Sequence, residues 1–384
     1  MLGGGGDRGG RAITGAPSCV HALSSSIFNY EVFRIPLLRH YSLTPGRGPL
    51  VDEALHDQLE IARAADELGV NGAYFRVHHF APQGASPMPM LAAIAASTTH
   101  IEVGTDVIDM RYENPLHFAE EAAALDILSN HRIALGVSRG SPEPAQRGWE
   151  PFGYTANAPY GADLAREHLE TFLAAIRGHA MAVAAPLEEQ YPTMYHPGTP
   201  LPVFPQVEDL DHRIWYGSGT HKSAEQTARD GLNLMSSTLV SEADGSSLGE
   251  IQAEQIARYR AAWKEAGHDW TPRVSVSRSI FPLVTAQDRA LFGAEGNSRD
   301  QIGSIEGATR TTFGRSYAAE PDALIEMLKS DPAIEAADTL MLTIPNTLGV
   351  DVNVSILENF AQHVAPALGW IPATEGPTTS YPID

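Results

Sequence analysis

With 384 residues, 43% of them hydrophobic, the chain has enough apolar side chain for a sizeable core in one large domain or two ordinary ones. Its 26 basic and 47 acidic side chains leave a net charge of −21, which repels phosphate backbones and anionic lipid and sets nucleic acid and membranes aside as partners. Cys19 is the single cysteine, so no intrachain disulfide can form; with no apolar run of signal-peptide or membrane-spanning length, the reading is a cytoplasmic protein.

The Gly-rich opening, residues 1–26, reads as a disordered tail. From residue 27 strands and helices alternate. "IFNYEVFRIPLL" reads as the first strand, and residues 51–68 carry Leu55, Leu59, Ala62, Ala65 and Leu68 at helical spacing before Gly69. A second strand follows at 72–78, a helix near 88–98 and a third strand at 101–109. Asn114-Pro115 supplies a capping residue followed by proline at the first helical position. "RIALGVSRG" (132–140) is the fourth strand and 160–177 the next helix. Residues 186–205 hold six prolines, too many for a helix or a central strand, and read as an excursion.

Alternation resumes with strand 213–219, helix 221–230, strand 232–239, helix 248–266 and strand 273–283. Residues 285–316 lack periodicity and read as a lid or mobile loop. A helix at 321–329, a strand at 339–346 and a helix at 352–366 follow, with 371–384 as a tail. Eight strands alternating with helices predict a (β/α)8 TIM barrel over 27–370, with a Pro-rich insertion before strand five, a long loop after strand seven and chemistry at the C-terminal strand ends. The competing architecture is an open doubly wound sheet. Its Gly-x-Gly-x-x-Gly fingerprint is missing from the first strand-to-helix turn.

The strand tips then supply the candidates: Arg39 and His40, His78 and His79, Asp109 to Arg111, Ser138 and Arg139, Ser218 to Thr220, Ser236 to Thr238, Phe281 and Asn346. Neighbouring strand residues face opposite ways, so His78 and His79 cannot both enter a barrel, and no metal site is expected. One imidazole should face the cavity while the other packs; alternatively both hold the loop "FAPQGASPMP". Arg76 shares the face of His78, and if buried it needs a partner, for which Asp106 is the nearest candidate.

"LGVSRG" places Arg139 directly after a buried strand, where its planar donors suit a phosphate or carboxylate; a surface salt bridge is the ordinary alternative. "YGSGTHKSAEQTARDG" starts a helix just after a strand. Its free amides, with the Thr220 and Ser223 hydroxyls, would suit an anion, and a plain capped helix is the alternative. Strands four and five are neighbours in a barrel, so both signals can serve one phosphate, unlike the commoner placement near strands seven and eight.

"DELGVNGAYFRVHHF", "ASTTHIEVGTDVIDMRYENPLHFAEEAAALDILSNHRIALGVSRG" and "IWYGSGTHKSAEQTARDGLNL", in that order, resemble the bacterial luciferase-like flavin monooxygenases, with "YAAEPDALIEML" and "LMLTIPN" continuing the likeness towards residue 370. The resemblance implies a barrel that binds reduced FMN and activates oxygen as a flavin C4a-peroxide to oxidise a small organic substrate. A separate NAD(P)H-dependent reductase would supply the reduced flavin. The family's Glu-His-His-Phe matches Val77-His78-His79-Phe80, which makes His78 the catalytic residue, a proton shuttle; with Val77 in place of the glutamate, light emission is not expected. Cys-Arg-Gly matches Ser138-Arg139-Gly140.

The implied cofactor-binding set is Asp109, Ser138, Arg139, Gly217, Ser218, Gly219, Thr220 and Ser236. Asp106-Val107 falls where the family has a non-prolyl cis peptide. Phe33, Met110, Trp215, Met235 and Phe281 would keep the site dry. Family likeness also implies a homodimer. Two rivals stand beside this reading: a hydride-transferring enzyme that uses a 5-deazaflavin coenzyme, and a catalytically silent flavin-binding protein.

Overall fold

The computed structural model describes residues 22–28, 49–81, 86–140, 145–242, 244–305, 309–345 and 348–373. Within them lie the principal strands β1 (Ala22–Phe28), β2 (Gly72–Phe75), β3 (Glu102–Asp109), β4 (Ile133–Ser138), β5 (Ile214–Ser218), β6 (Asn233–Ser236), β7 (Val274–Pro282) and β8 (Thr339–Pro345). The helices are α1 (Pro49–Glu67), α2 (Pro87–Ser97), α3 (Pro115–Leu128), α4 (Ala162–Ile176), α5 (His221–Asp230), α6 (Leu248–Ala266), α7 (Ala286–Phe292), α8 (Pro321–Lys329), α9 (Pro332–Ala336) and α10 (Gly349–His363). Local chemistry sets several boundaries. Asn114 accepts from the amides of Leu116 and His117 ahead of Pro115, and α5 stops where Gly231 takes φ +73°.

The sheet is parallel and curled, giving a TIM-barrel-like fold. β1 to β6 pair in chain order, β6 pairs with β7, β7 with β8 and β8 with β1. Helices cover the outside, which is why the strands read as continuous apolar runs. The interior holds a separate cluster of Tyr74, Ala134, Trp215, Met235 and Met341. Below it, Glu102 accepts 2.7 and 3.0 Å hydrogen bonds from Arg273 and one from the Tyr74 hydroxyl, while Arg273 lies 4.7 Å from the Trp215 ring. This buried, paired network closes the N-terminal end and leaves the strand tips as the open mouth.

Three expectations change. The first strand is Ala22–Phe28, earlier than 27–38, and takes in part of the expected tail; its Ser-rich run "LSSSI" resembles a linker until β2 and β8 pair on either side of it. Residues 285–316 are not structureless. They contain α7 and the antiparallel pair Gln301–Ile305 with Thr309–Phe313, which is joined by Leu239–Val240. The six-proline excursion carries one short strand, Pro200–Leu201, which pairs antiparallel with Ala182–Val183 just before it. Cys19, Phe33, Arg39, His40 and Asn346 lie outside the described residues. Among the described residues no helix is long and apolar enough to cross a membrane.

Candidate active site

The tips of β3, β4 and β5 converge. β3 carries a cis peptide at Asp106-Val107, as anticipated, and its register on β4 shifts between Thr105 and Ile108. Val107 then leans across the mouth: a Cβ at Gly217 would lie 3.0 Å from Val107 Cγ1 and 3.5 Å from Ser138 Cβ. Three positions from separate strands thus share one small space, and glycine at 217 keeps it open. The Ser138 hydroxyl oxygen accepts a 2.7 Å hydrogen bond from the Gly140 amide, which holds the turn after β4.

Arg139 sits at the rim, half-buried, with its guanidinium 6.0 Å from the Tyr160 ring. Burial pushes the Tyr216 phenol up, and Arg139, through its charge and its backbone amide, pulls it down. Tyr160 therefore stands at the rim beside the Arg139 guanidinium, whereas Tyr216 packs against the core between sheet and helices. No residue pattern announced them, because an aromatic in a loop or strand carries no sign of its neighbours.

The remaining expected cofactor residues are placed differently. Asp109 is buried in an ion pair with Arg111, which also donates to the Tyr160 carbonyl at 3.0 Å. Ser218 shares a 3.1 Å hydrogen bond with Thr227 on α5, and the Ser236 hydroxyl donates to Gln255 on α6, so both serine hydroxyls face the helix layer and not the mouth. Thr220 and Ser223 form a reciprocal cap, with Ser223 N–H donating to Thr220 Oγ1 at 3.0 Å and Thr220 N–H to Ser223 Oγ at 3.1 Å. The adjacent His221 amide donates to Glu242 Oε1 at 3.1 Å, so a carboxylate already stands at this helix start. Gly219 is nearly open, with the Leu239 carbonyl 3.7 Å from its ideal Cβ.

Of the two histidines, His79 packs. Its ring stacks on Tyr112 at 4.1 Å and meets Phe152 edge-on at 5.4 Å. His78 is buried at the β2 tip, on the strand parity of Tyr74 and Arg76. Arg76 acts on Asp106 as expected: burial pushes that carboxyl up to about 6, and the Arg76 charge pulls it down. Next to the site, burial together with Glu121 and Asp109 pushes Glu113 up to about 7. Of the expected walls, Trp215 and Met235 line the barrel interior, while Met110 and Phe281 join the core between sheet and helices.

The residues present fit a flavin, with the Arg139 guanidinium beside the open backbone of Gly219 for an anionic tail and the space kept by Gly217 for a ring, while the amides at the start of α5 are taken by Thr220, Ser223 and Glu242. Residues 37–307 match the family described as Luciferase-like monooxygenase. A flavin-dependent trigonelline monooxygenase, oxygenase component, of Acinetobacter baylyi is 33% identical over 90 residues, 23% of this chain and 25% of that protein. The matched stretches span only about a quarter to a third of such curated relatives. In fold, the chain is similar to the oxygenating constituent of 3,6-diketocamphane monooxygenase of Pseudomonas putida in complex with FMN, with TM-score 0.61, 15% identity and coverage of 91% of this chain and 98% of that one. It is also similar to an F420-dependent secondary alcohol dehydrogenase, with TM-score 0.59, 14% identity and coverage of 91% and 99%. The family match covers most of the chain, and the chain belongs to the luciferase-like monooxygenase family.

Proposed function

We propose that this chain is the oxygenase of a flavin-dependent monooxygenase, which takes reduced FMN from a separate NAD(P)H-dependent reductase and uses molecular oxygen to oxidise a small organic substrate. The observation that carries the reading is the meeting of Val107, Ser138 and Gly217 at the strand tips with Arg139 at the rim. We read the closed run of strand pairings as the expected (β/α)8 barrel, which puts these residues at its catalytic end.

The flavin, when bound, supplies the electrons that activate oxygen. The chain's own residues bind, orient and shield. Arg139 holds the phosphate, helped by the open backbone at Gly219. Gly217 leaves room for the ring, and Ser138, oriented by the Gly140 amide, stands beside it. Trp215 and Met235 exclude water from below. His78 holds or passes a proton at its imidazole, and the stacking of His79 on Tyr112 keeps the loop in place. Asp109, Ser218 and Ser236 act as supports that position these groups.

The similarity in fold to an F420-dependent dehydrogenase favours one second reading, hydride transfer with a 5-deazaflavin coenzyme. Oxygen uptake with reduced FMN separates the two. Consumption of oxygen with product formation is expected, whereas turnover of a reduced deazaflavin with no oxygen consumed would overturn the proposal. His78→Ala should keep flavin binding and lose about 10² to 10⁴ in product formation; unchanged turnover would remove His78 from the mechanism.

A further inference from the structure

Two charged residues stand at the mouth on the side of β2 and β3, away from Arg139. Arg76 follows Phe75 at the end of β2, and Asp106 lies on β3 at the cis bond. The register sets Tyr74 opposite Gly104 and Phe75 opposite Thr105, so Arg76 comes next to Asp106. A Cβ on Gly104 would fall 2.6 Å from the Tyr74 ring, which marks these positions as interior. Strand periodicity then places Arg76 and Asp106 on the same interior face, one layer nearer the mouth. Thr105, between them, turns the other way and donates to the Gly136 carbonyl at 2.8 Å.

Both residues keep accessible surface while Phe75, Val77, Thr105 and Ile108 around them are buried. They therefore line a recess. Among the described residues Asp106 has no hydrogen-bonding partner, and Arg76 reaches it as a charge without closing into an ion pair. A carboxylate and a guanidinium held in a recess without direct contact cost free energy that a bridging group recovers.

We propose that Arg76 and Asp106 are the two halves of a receptor for a planar group that presents an N–H beside a C=O, namely the pyrimidine edge of the flavin ring. The carboxylate accepts from the N–H, and the guanidinium donates to the carbonyl oxygen. This rests on the flavin reading above. Two strand spacings, about 10 Å, separate the tips of β2 and β4, a span that the pyrimidine edge of a flavin and the phosphate on the ribityl chain of its central ring can bridge. Of the ring's two ends, only the pyrimidine end carries groups that a charged pair can satisfy; the dimethylbenzene end would leave both charges desolvated.

The test is anaerobic calorimetry with reduced FMN and reduced N3-methyl FMN on the wild type, Asp106→Ala and Arg76→Met, with a melting curve for each protein. FMN affinity should fall tenfold or more in both variants. N3-methyl FMN should bind the wild type about that much more weakly than FMN, and should bind Asp106→Ala no worse than it binds the wild type. Should a variant fail to fold, the comparison of the two flavins on the wild type still decides. Equal affinity for both flavins, or variants that bind FMN as the wild type does, overturns the assignment and leaves the flavin reading standing. A wild type that binds neither flavin overturns both.

Discussion

Gly140 and Asp109 compete for the same space at the end of β4: a Cβ on Gly140 would fall 2.1 Å from Asp109 Oδ2. The carboxylate cannot move aside, because Arg111 donates to both of its oxygens and the Arg111 amide donates to one of them. Gly140 also has φ +80°. Gly140→Ala should therefore destabilise the protein by about 1–3 kcal/mol and weaken FMN binding, since the Gly140 amide orients Ser138. A melting temperature and FMN affinity equal to those of the wild type would remove this support from the site.

Arg139→Ala separates the phosphate from the ring. Charge-assisted hydrogen bonds contribute about 1.5–3 kcal/mol, so FMN affinity should fall roughly ten- to a hundredfold while riboflavin affinity changes little. Titration of both ligands provides the check, and equal weakening would show that the guanidinium does not hold the phosphate.

Glu242 makes the opposite prediction. Its carboxylate accepts from the His221 amide at 3.1 Å, at the helix start where a phosphate would gain from the same dipole. Glu242→Gln removes a like charge from that position and should tighten FMN binding by a few-fold, about 0.3–1 kcal/mol, most visibly at low ionic strength. Riboflavin should be indifferent. An equal gain for riboflavin, or a loss for FMN, would count against a phosphate at this helix.

Asp106 should leave a signature in stability against pH. Its folded-state carboxyl is pushed up to about 6 by burial from an ordinary 3.8, so between those values the folded state binds more protons than the unfolded chain. Stability from this group is present below about pH 4 and is lost as pH rises through 6. Asp106→Asn should be more stable than the wild type by on the order of 3 kcal/mol at pH 7.5 and by only about 1 kcal/mol at pH 4.5. Asp338 is pushed up to about 6 as well, but it is unchanged by this substitution and cancels in the comparison. Urea unfolding of both proteins at the two pH values measures the difference; an identical offset at both would mean that Asp106 does not titrate as described.

Much of the architecture could be read from residue order. The alternation of apolar runs with helical spacing, the Asn114-Pro115 start and the Gly231 stop are all local signals, and the elements at those positions match them. The split of the two histidines followed from strand geometry, and His79 takes the packing role. That Arg76 and Asp106 are neighbours was legible, but the ion pair that the cost of burying a charge called for does not close.

Side-chain direction in strands buried on both faces was not legible. Ser218 and Ser236 end apolar runs just as Ser138 does, yet their hydroxyls meet Thr227 and Gln255 in the helix layer. A strand with apolar residues on both sides has no polar alternation to mark inside from outside. The strand pair in 301–313 escaped notice for a related reason, since its third strand is Leu239–Val240, far earlier in the chain.

Composition, periodicity and capping residues by themselves determined that strands and helices alternate and where most of them begin, because those signals act over a single helical turn or strand. Only the tertiary structure decided which tips share a cavity, which hydroxyls are spent on support and that Glu242 meets the start of α5. Those outcomes depend on sheet curvature and on contacts between residues distant in the chain, and no local pattern encodes either.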